Sequence, residues 1–371
     1  MAAEFRVGVA GVAHYHVTQL MPLFAELPET ELVAIADTPP AEPEINVEQE
    51  RTRAGTIRVA QEQLGVQRRY DDYREMLARE QLDIVLVFPE NARGAQVAID
   101  CAAAGAHVLT EKPMATTVAD ALAMQRAVDA AGVKLMVNWP IIWSPAIRKL
   151  RQLLDEGAIG ELLQVHVRYG TQGPASIPGW LDLTREEQAA TWWYREEDAG
   201  GALYDFCSHG ACLSRWFFDA PAETAVGMTA NLASPHGSVD DNAAILARFP
   251  HGMAVIEGTW TTYDHAMPHG PILYGTTGTL CLDGANFVDV GRVRLTTADD
   301  PEPRYVEGDP LPERDNPAKE FVHHIRTGEP LYPTLDPAFH LDAVAILEAG
   351  ARSAAEGAAV SVAATGDIPQ P

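Results

Sequence analysis

Residues 1–140 alternate between near-continuous apolar runs and segments whose apolar residues recur at helical spacing. The runs lie at 6–10, 32–36, 84–88, 107–109 and 134–137. The helical segments between them lie at 59–64, 73–80, 95–104 and 118–131. Strands apolar on both faces and separated by helices predict a parallel sheet covered on both sides. The stretch 38–53 breaks the rhythm: it is rich in Pro and Glu and reads as an inserted surface loop after the second strand.

A helix is predicted over 144–156, with Pro145 in its first turn and Gly157 just past its end. The pattern then changes. Strand-like runs appear at 163–169, 224–232, 243–249, 253–260 and 279–282, several joined by short turns such as Pro250-His251-Gly252. This predicts a large, mostly antiparallel open sheet, with a helix around 201–217 packed on it. Two helical segments, 317–327 and 338–356, close the pattern.

A chain of 371 residues exceeds what one core usually needs, so two domains are expected, 1–140 and 141–371. With 47% hydrophobic and 21% charged residues, the composition is that of a folded enzyme rather than a disordered chain. No run approaches the roughly 20 apolar residues of a membrane span. The chain enters its first strand almost at once, without a secretory n-region or h-region. Cys101, Cys207, Cys212 and Cys281 show no paired spacing, which fits a reducing cytoplasm. A net charge of −25 disfavours nucleic acid and anionic membranes as partners.

The turn after the first strand reads Gly11-Val12-Ala13-His14-Tyr15-His16. Against the dinucleotide fingerprint G-x-G-x-x-G, Gly11 keeps the first place, while Ala13 and His16 fill the second and third. Ala13 adds one methyl near the pyrophosphate; His16 is a larger departure. The second strand ends at Asp37, where a carboxylate can accept both ribose hydroxyls of NAD and repel a 2′-phosphate. Thr38, Pro39 and Pro40 follow it and no basic residue adjoins it, so NAD(H) is expected over NADP(H) unless Arg51 or Arg53 folds back. Together these features predict an N-terminal Rossmann domain with a doubly wound parallel sheet, followed by an α+β domain.

The run from Ala103 through Glu111-Lys112-Pro113 resembles the strand-plus-EKP signature of the Gfo/Idh/MocA oxidoreductase family. The segment Gly200-Gly201-Ala202-Leu203-Tyr204-Asp205-Phe206-Cys207-Ser208-His209 is similar to that family's glycine-rich segment. Further similarities lie at Ser144–Leu150, at Tyr274–Leu280 and at Ala351–Gly357. The resemblance implies a catalytic set of Lys112, Asp205 and His209, and a cis peptide before Pro113. It implies cofactor contacts from Gly11, Val12, Ala13, His14, His16, Asp37, Pro89, Asn91, Glu111, Lys112 and Pro113. Substrate contacts are expected from Lys112, Asn138, Trp139, Trp193, Asp205, His209 and His269. A homodimer or homotetramer, assembled through the open sheet, is implied as well. The chain departs from the family at Gly94, where a histidine is common, at Cys207, where glycine is usual, and at Asn138–Trp143, which lacks the usual arginine or tyrosine.

Oxidising an alcohol with NAD moves a hydride from carbon and a proton from oxygen. Asp205 and His209 stand at i and i+4, so a helix puts both on one face. That placement suits His209 as base and Asp205 as orienter, with Lys112 donating to the reacting oxygen. An i,i+4 pair can equally be a helix-surface ion pair; the two motifs in order favour the catalytic reading. His265 and His269 have metal-ligand spacing, but Pro268 argues against a regular helix and no third ligand is evident, so no metal is expected. Trp192, Trp193 and Tyr194 either stack on a sugar ring or pack internally. The expected activity is NAD-dependent hydride transfer at a sugar, sugar-derivative or cyclitol hydroxyl. The rival readings are glycoside cleavage through transient oxidation by NAD, and a non-catalytic NAD-binding sensor.

Overall fold

The computed structural model describes residues 3–38, 49–174, 176–177, 181–234, 237–263, 270–283 and 291–363. The chain divides into two units. The first is built from Met1–Asn138, Ala175–Gly200 and Arg314–Pro337, the second from Trp139–Pro174, Gly201–Glu313 and Ala338–Pro371. The first junction lies between Asn138 and Trp139, and two later segments belong to the first unit.

The main sheet of the first unit has six strands: β1 (Phe5–Ala10), β2 (Thr30–Ala36), β3 (Arg68–Tyr70), β4 (Ile84–Val87), β5 (His107–Glu111) and β6 (Leu135–Asn138). All pair in parallel, in the order β3-β2-β1-β4-β5-β6. This is the Rossmann order, and it reverses direction at β1, where ligands of such sheets bind. Val7, Val9 and the whole of β4 are buried, as strands covered on both faces require.

Five helices connect these strands: α1 (Val17–Ala25), α2 (Arg53–Arg58), α3 (Tyr73–Arg79), α4 (Asn91–Ala103) and α5 (Val118–Ala131). The α5 bounds follow from local chemistry. Thr117 accepts from the Asp120 amide at the start, and Gly132 ends the helix at φ 68°. α1 is an addition to the sequence reading: it carries Pro22 and lacks both a side-chain cap and an acidic first turn. β3 is another, a polar Arg68-Arg69-Tyr70 edge that carries no apolar signal. α2 begins within the stretch read as a loop. Thr52 caps it, and it runs on into a π-helical turn, Val59–Gln63. Residues 39–48 lie outside the described residues.

In the second unit, α6 (Pro145–Asp155) is capped by the Ser144 hydroxyl and has Pro145 at its first position. The sheet that follows has nine strands. Their order is Arg304–Glu307, Arg292–Thr297, Gly278–Asp283, Ile272–Gly275, Leu162–Gly170, Gly252–Thr259, Asn242–Phe249, Thr224–Ala230 and Val360–Ser361. Every pairing is antiparallel except that of Leu162–Gly170 with Gly252–Thr259.

Helices Ser208–Phe218 and Pro337–Glu356 pack on one face of this sheet. The long helix comes so close that a Cβ on Gly227 would sit 1.9 Å from the Gly350 carbonyl oxygen. Ala225, Ala247 and Ala254 are buried beneath the helices. The opposite face presents Val226, Met228, Leu246, Met253 and Tyr274 to solvent, with Met228 74% exposed.

Candidate active site

Gly11 closes the turn after β1 at φ 82°, a conformation that favours glycine. A Cβ there would lie 2.6 Å from the Pro89 backbone nitrogen, so this turn and the one after β4 meet at Gly11. Beside them is a cavity of about 330 Å³, lined among others by Gly11, Asp37, Arg53, Arg74, Pro89 and Arg93. Asp37 Oδ1 accepts from the Val12 amide at 3.1 Å, joining the end of β2 to the dinucleotide turn. Gly11, Val12, Asp37 and Pro89 are thereby brought together.

Arg53 folds back and places Nη1 2.7 Å and 2.9 Å from the two Asp37 oxygens, while its Nη2 bonds Glu90. Both Arg53 and Asp37 are buried. Burial pushes the Asp37 carboxyl up from its ordinary range, and the guanidinium opposes that shift. Asp37 therefore faces the cavity with a cation beside it.

A second cluster forms where the β1 turn meets the end of β5. His16 Nδ1 lies 2.9 Å from Glu111 Oε1, and the other oxygen, Oε2, accepts from Asn138 Nδ2 at 2.7 Å. His14 Nε2 lies 4.0 Å from Glu111 Oε1. His14, His16 and Glu111 form a donor set of the kind zinc uses, with ligand atoms within 4.8 Å of one another. His16, the departure from the fingerprint, thus links the dinucleotide turn to the EKP segment. Lys112 follows directly, buried, and the Lys112–Pro113 peptide is cis.

Asn91 is the first residue of α4, and its Nδ2 donates to the Ala199 carbonyl at 3.1 Å. Trp193 stacks on Trp192 at 3.8 Å and meets His14 edge-on at 5.0 Å. The Trp192 indole donates to the Ala13 carbonyl at 3.0 Å. These tryptophans therefore pack against the dinucleotide turn. His265 and His269 lie outside the described residues.

Asp205 and His209 belong to the second unit, and both are buried. The helix expected over 201–217 is not regular. Leu203–Cys207 is a π-helical turn carrying Asp205, and the α-helix Ser208–Phe218 begins with His209 in its first turn. Such widened turns recur at functional sites. Each side chain receives an indole hydrogen. Trp260 Nε1 donates to Asp205 Oδ2 at 3.3 Å, and Trp139 Nε1 donates to His209 Nδ1 at 3.3 Å. The Tyr169 ring stands 5.4 Å from His209; burial, with the Asp205 charge adding, pushes its phenol well up and keeps it protonated.

The sequence reading missed Tyr169 and Trp260 as site residues. Their only signal is an aromatic residue at or just beyond the end of a strand, which packing explains equally well.

Two family models match the chain. Residues 5–139 match the oxidoreductase family with an NAD-binding Rossmann fold, and residues 147–281 match the GFO/IDH/MocA C-terminal domain. The chain belongs to the Gfo/Idh/MocA oxidoreductase family.

Among this family's curated members, levoglucosan dehydrogenase of Pseudarthrobacter phenanthrenivorans is 25% identical over 74% of this chain and 70% of its own length. The 2,7-anhydro-N-acetylneuraminate hydratase of Escherichia coli is 28% identical over 54% of this chain, a match spanning about half, 52%, of the hydratase. The fold is shared with aldose-aldose oxidoreductase of Caulobacter crescentus, at TM-score 0.75 and 22% identity over 96% of this chain and 99% of that one. Levoglucosan dehydrogenase in complex with NADH and levoglucosan gives TM-score 0.71 and 22% identity, over 96% and 99%. The first unit is thus an NAD-binding Rossmann domain of an oxidoreductase family. Among the described residues, no helix is long and apolar enough to cross a membrane.

Proposed function

We propose that the protein is an NAD-dependent dehydrogenase acting on a hydroxyl of a sugar, sugar derivative or cyclitol. One observation carries this reading: Lys112 lies buried directly after β5 of an NAD-binding sheet, in the same unit as the Gly11–Asp37 cavity. The ends of sheet strands near the reversal point are where such folds hold ligands. In the proposed reaction the carbinol carbon gives its hydride to the nicotinamide, and the hydroxyl proton goes to a basic side chain. His209 is assigned as the base, Lys112 as the donor that polarises the reacting oxygen, and Asp205 as the orienting group. Curated relatives named as levoglucosan, D-apiose and D-xylose dehydrogenases support a sugar-like substrate. The test is a panel of polyols, aldoses and anhydrosugars offered with NAD, read by NADH formation.

The hydratase relatives favour a second reading, in which NAD oxidises the substrate transiently and is restored in place. It predicts product without net NADH, so product release is followed in the same panel.

The same proposal includes assembly. The solvent-facing apolar row of Val226, Leu246 and Val255 runs across three paired strands of the nine-stranded sheet. An apolar patch of this kind suits a second copy of the chain, giving a homodimer or a dimer of dimers. Cys101, Cys207, Cys212 and Cys281 are buried thiols, which supports a reducing, cytoplasmic setting.

A further inference from the structure

The π-helical turn that carries Asp205 begins without a cap of its own. Ala202, which precedes Leu203–Cys207, offers no side-chain acceptor, and the first amides of a helical turn have no partner within it. Two of these amides are met by one residue elsewhere in the second unit. The Leu203 amide donates to Asp240 Oδ2 at 2.8 Å, and the Ala202 amide to the Asp240 carbonyl at 3.0 Å. We propose that Asp240 is a positioning residue: it fixes the π-helical turn and thereby the placing of Asp205 at the reacting hydroxyl. The effect on turnover rests on the oxidoreductase reading; the placing of Asp205 stands without it.

A second path runs from the next residue to the same carboxylate. The Asp241 carbonyl accepts from the Trp260 amide at 2.7 Å, and the Trp260 indole donates to Asp205 Oδ2 at 3.3 Å. Asp241 is itself pinned, since its carboxylate accepts from the Leu232, Ala233 and Ser234 amides at 2.7, 2.8 and 2.6 Å. Asp205 is thus held through its backbone turn by Asp240, and at its oxygen by an indole that Asp241 anchors.

Asp240 lies close against the turn: a Cβ on Gly201 would sit 2.5 Å from its Oδ1. The turn in turn presses on strand Gly252–Thr259, where a Cβ on Gly258 would lie 2.8 Å from the Ala202 carbonyl. Widened turns depart from the regular hydrogen-bond ladder. Without the Asp240 oxygen the Leu203 amide loses its acceptor, and relaxation towards α-helical geometry rotates Asp205 relative to the indole. Burial pushes the Asp240 carboxyl up, so its charge weakens the fold at neutral pH, and a variant that removes only the charge is expected to fold.

The test compares Asp240→Ala, which removes the acceptor, with Asp240→Asn, which keeps an acceptor oxygen for Leu203. Misplacement by about 1 Å can cost about 10²-fold in rate, so Asp240→Ala should lower kcat about tenfold or more with NAD affinity unchanged. Asp240→Asn should restore kcat to near the wild-type value. Nitrogen NMR of the full chain, labelled with ¹⁵N in its indole rings, reads the geometry directly. The Trp260 signal, identified by its loss in Trp260→Phe, should move in Asp240→Ala and stay in place in Asp240→Asn. If Asp240→Ala does not fold, Asp240→Ser, whose shorter side chain falls short of the Leu203 amide, takes its place with the same expectations. A folded Asp240→Ala or Asp240→Ser with an unmoved Trp260 signal overturns the proposal, as does an Asp240→Asn protein as impaired as they are. The indole signal is read without turnover, so failure of the oxidoreductase reading is seen separately.

Discussion

At the scale of single residues, Arg53 and Asp240 carry the sharpest consequences. Arg53 sets a cation against the carboxylate that was expected to repel a 2′-phosphate. NAD remains the expected cofactor, but discrimination against NADP should be smaller than an unpaired Asp37 would give. Arg53→Ala should weaken NADP(H) binding about tenfold or more, the loss of one charge-assisted contact, and NAD(H) binding less. Fluorescence titration with both cofactors checks this; an equal loss for both would make Arg53 purely structural. Asp240 accepts from the Leu203 amide at the head of the π-helical turn. Burial pushes its carboxyl up to about 6. Because the folded state holds this proton more tightly, stability from this group is full below about pH 4 and falls as pH rises through about 6. The loss is up to about 3 kcal/mol. Asp240→Asn should therefore gain on wild type at pH 7 but not at pH 4, as read by denaturant midpoints. Arg53 was visible in the sequence only as a residue that could fold back, because the intervening segment carries no periodic pattern to place it.

At the scale of elements, the site depends on two departures from regular geometry. The β1 turn and the turn after β4 approach so closely at Gly11 that Gly11→Ala adds both a clash with Pro89 and a strained φ. It should cost about 1–3 kcal/mol of stability and lower NAD affinity at least tenfold, measured by thermal unfolding and cofactor titration. Unchanged NAD affinity would show that the turn adapts without losing its ligand. The other departure is the π-helical turn that carries Asp205. The i,i+4 spacing of Asp205 and His209 was plain in the sequence, but its helix was read as regular from residue 201, since a widened turn leaves no mark on apolar periodicity. Long, well-capped elements such as α5 were legible to the residue, whereas α1, with Pro22 and no cap, and the polar edge β3 were not. Trp139 lies far from His209 in sequence, so its hydrogen bond could be found only in the fold. Losing a general base costs about 10²–10⁴ in rate, so His209→Ala should lower kcat by that factor and leave NAD affinity nearly unchanged.

At the scale of the whole molecule, the order of elements along the chain already indicated a parallel sheet followed by a mostly antiparallel one. The return of 175–200 and 314–337 to the first unit was not legible, because neither segment carries a strand of the six-stranded sheet. The exposed row on the nine-stranded sheet supports assembly, and Met228→Asp should shift the protein towards monomer by light scattering. A wild-type monomer at micromolar concentration would contradict the proposed dimer. The central claim is hydride transfer at a sugar-type hydroxyl with Lys112 in the reaction. Its most direct test is turnover of the polyol, aldose and anhydrosugar panel with NAD by wild type and Lys112→Ala, with NADH and product followed together. The account predicts NADH from at least one substrate, a kcat lowered about 10²–10⁴-fold in Lys112→Ala, and little change in NAD binding. A Lys112→Ala variant that turns over at the wild-type rate would contradict it.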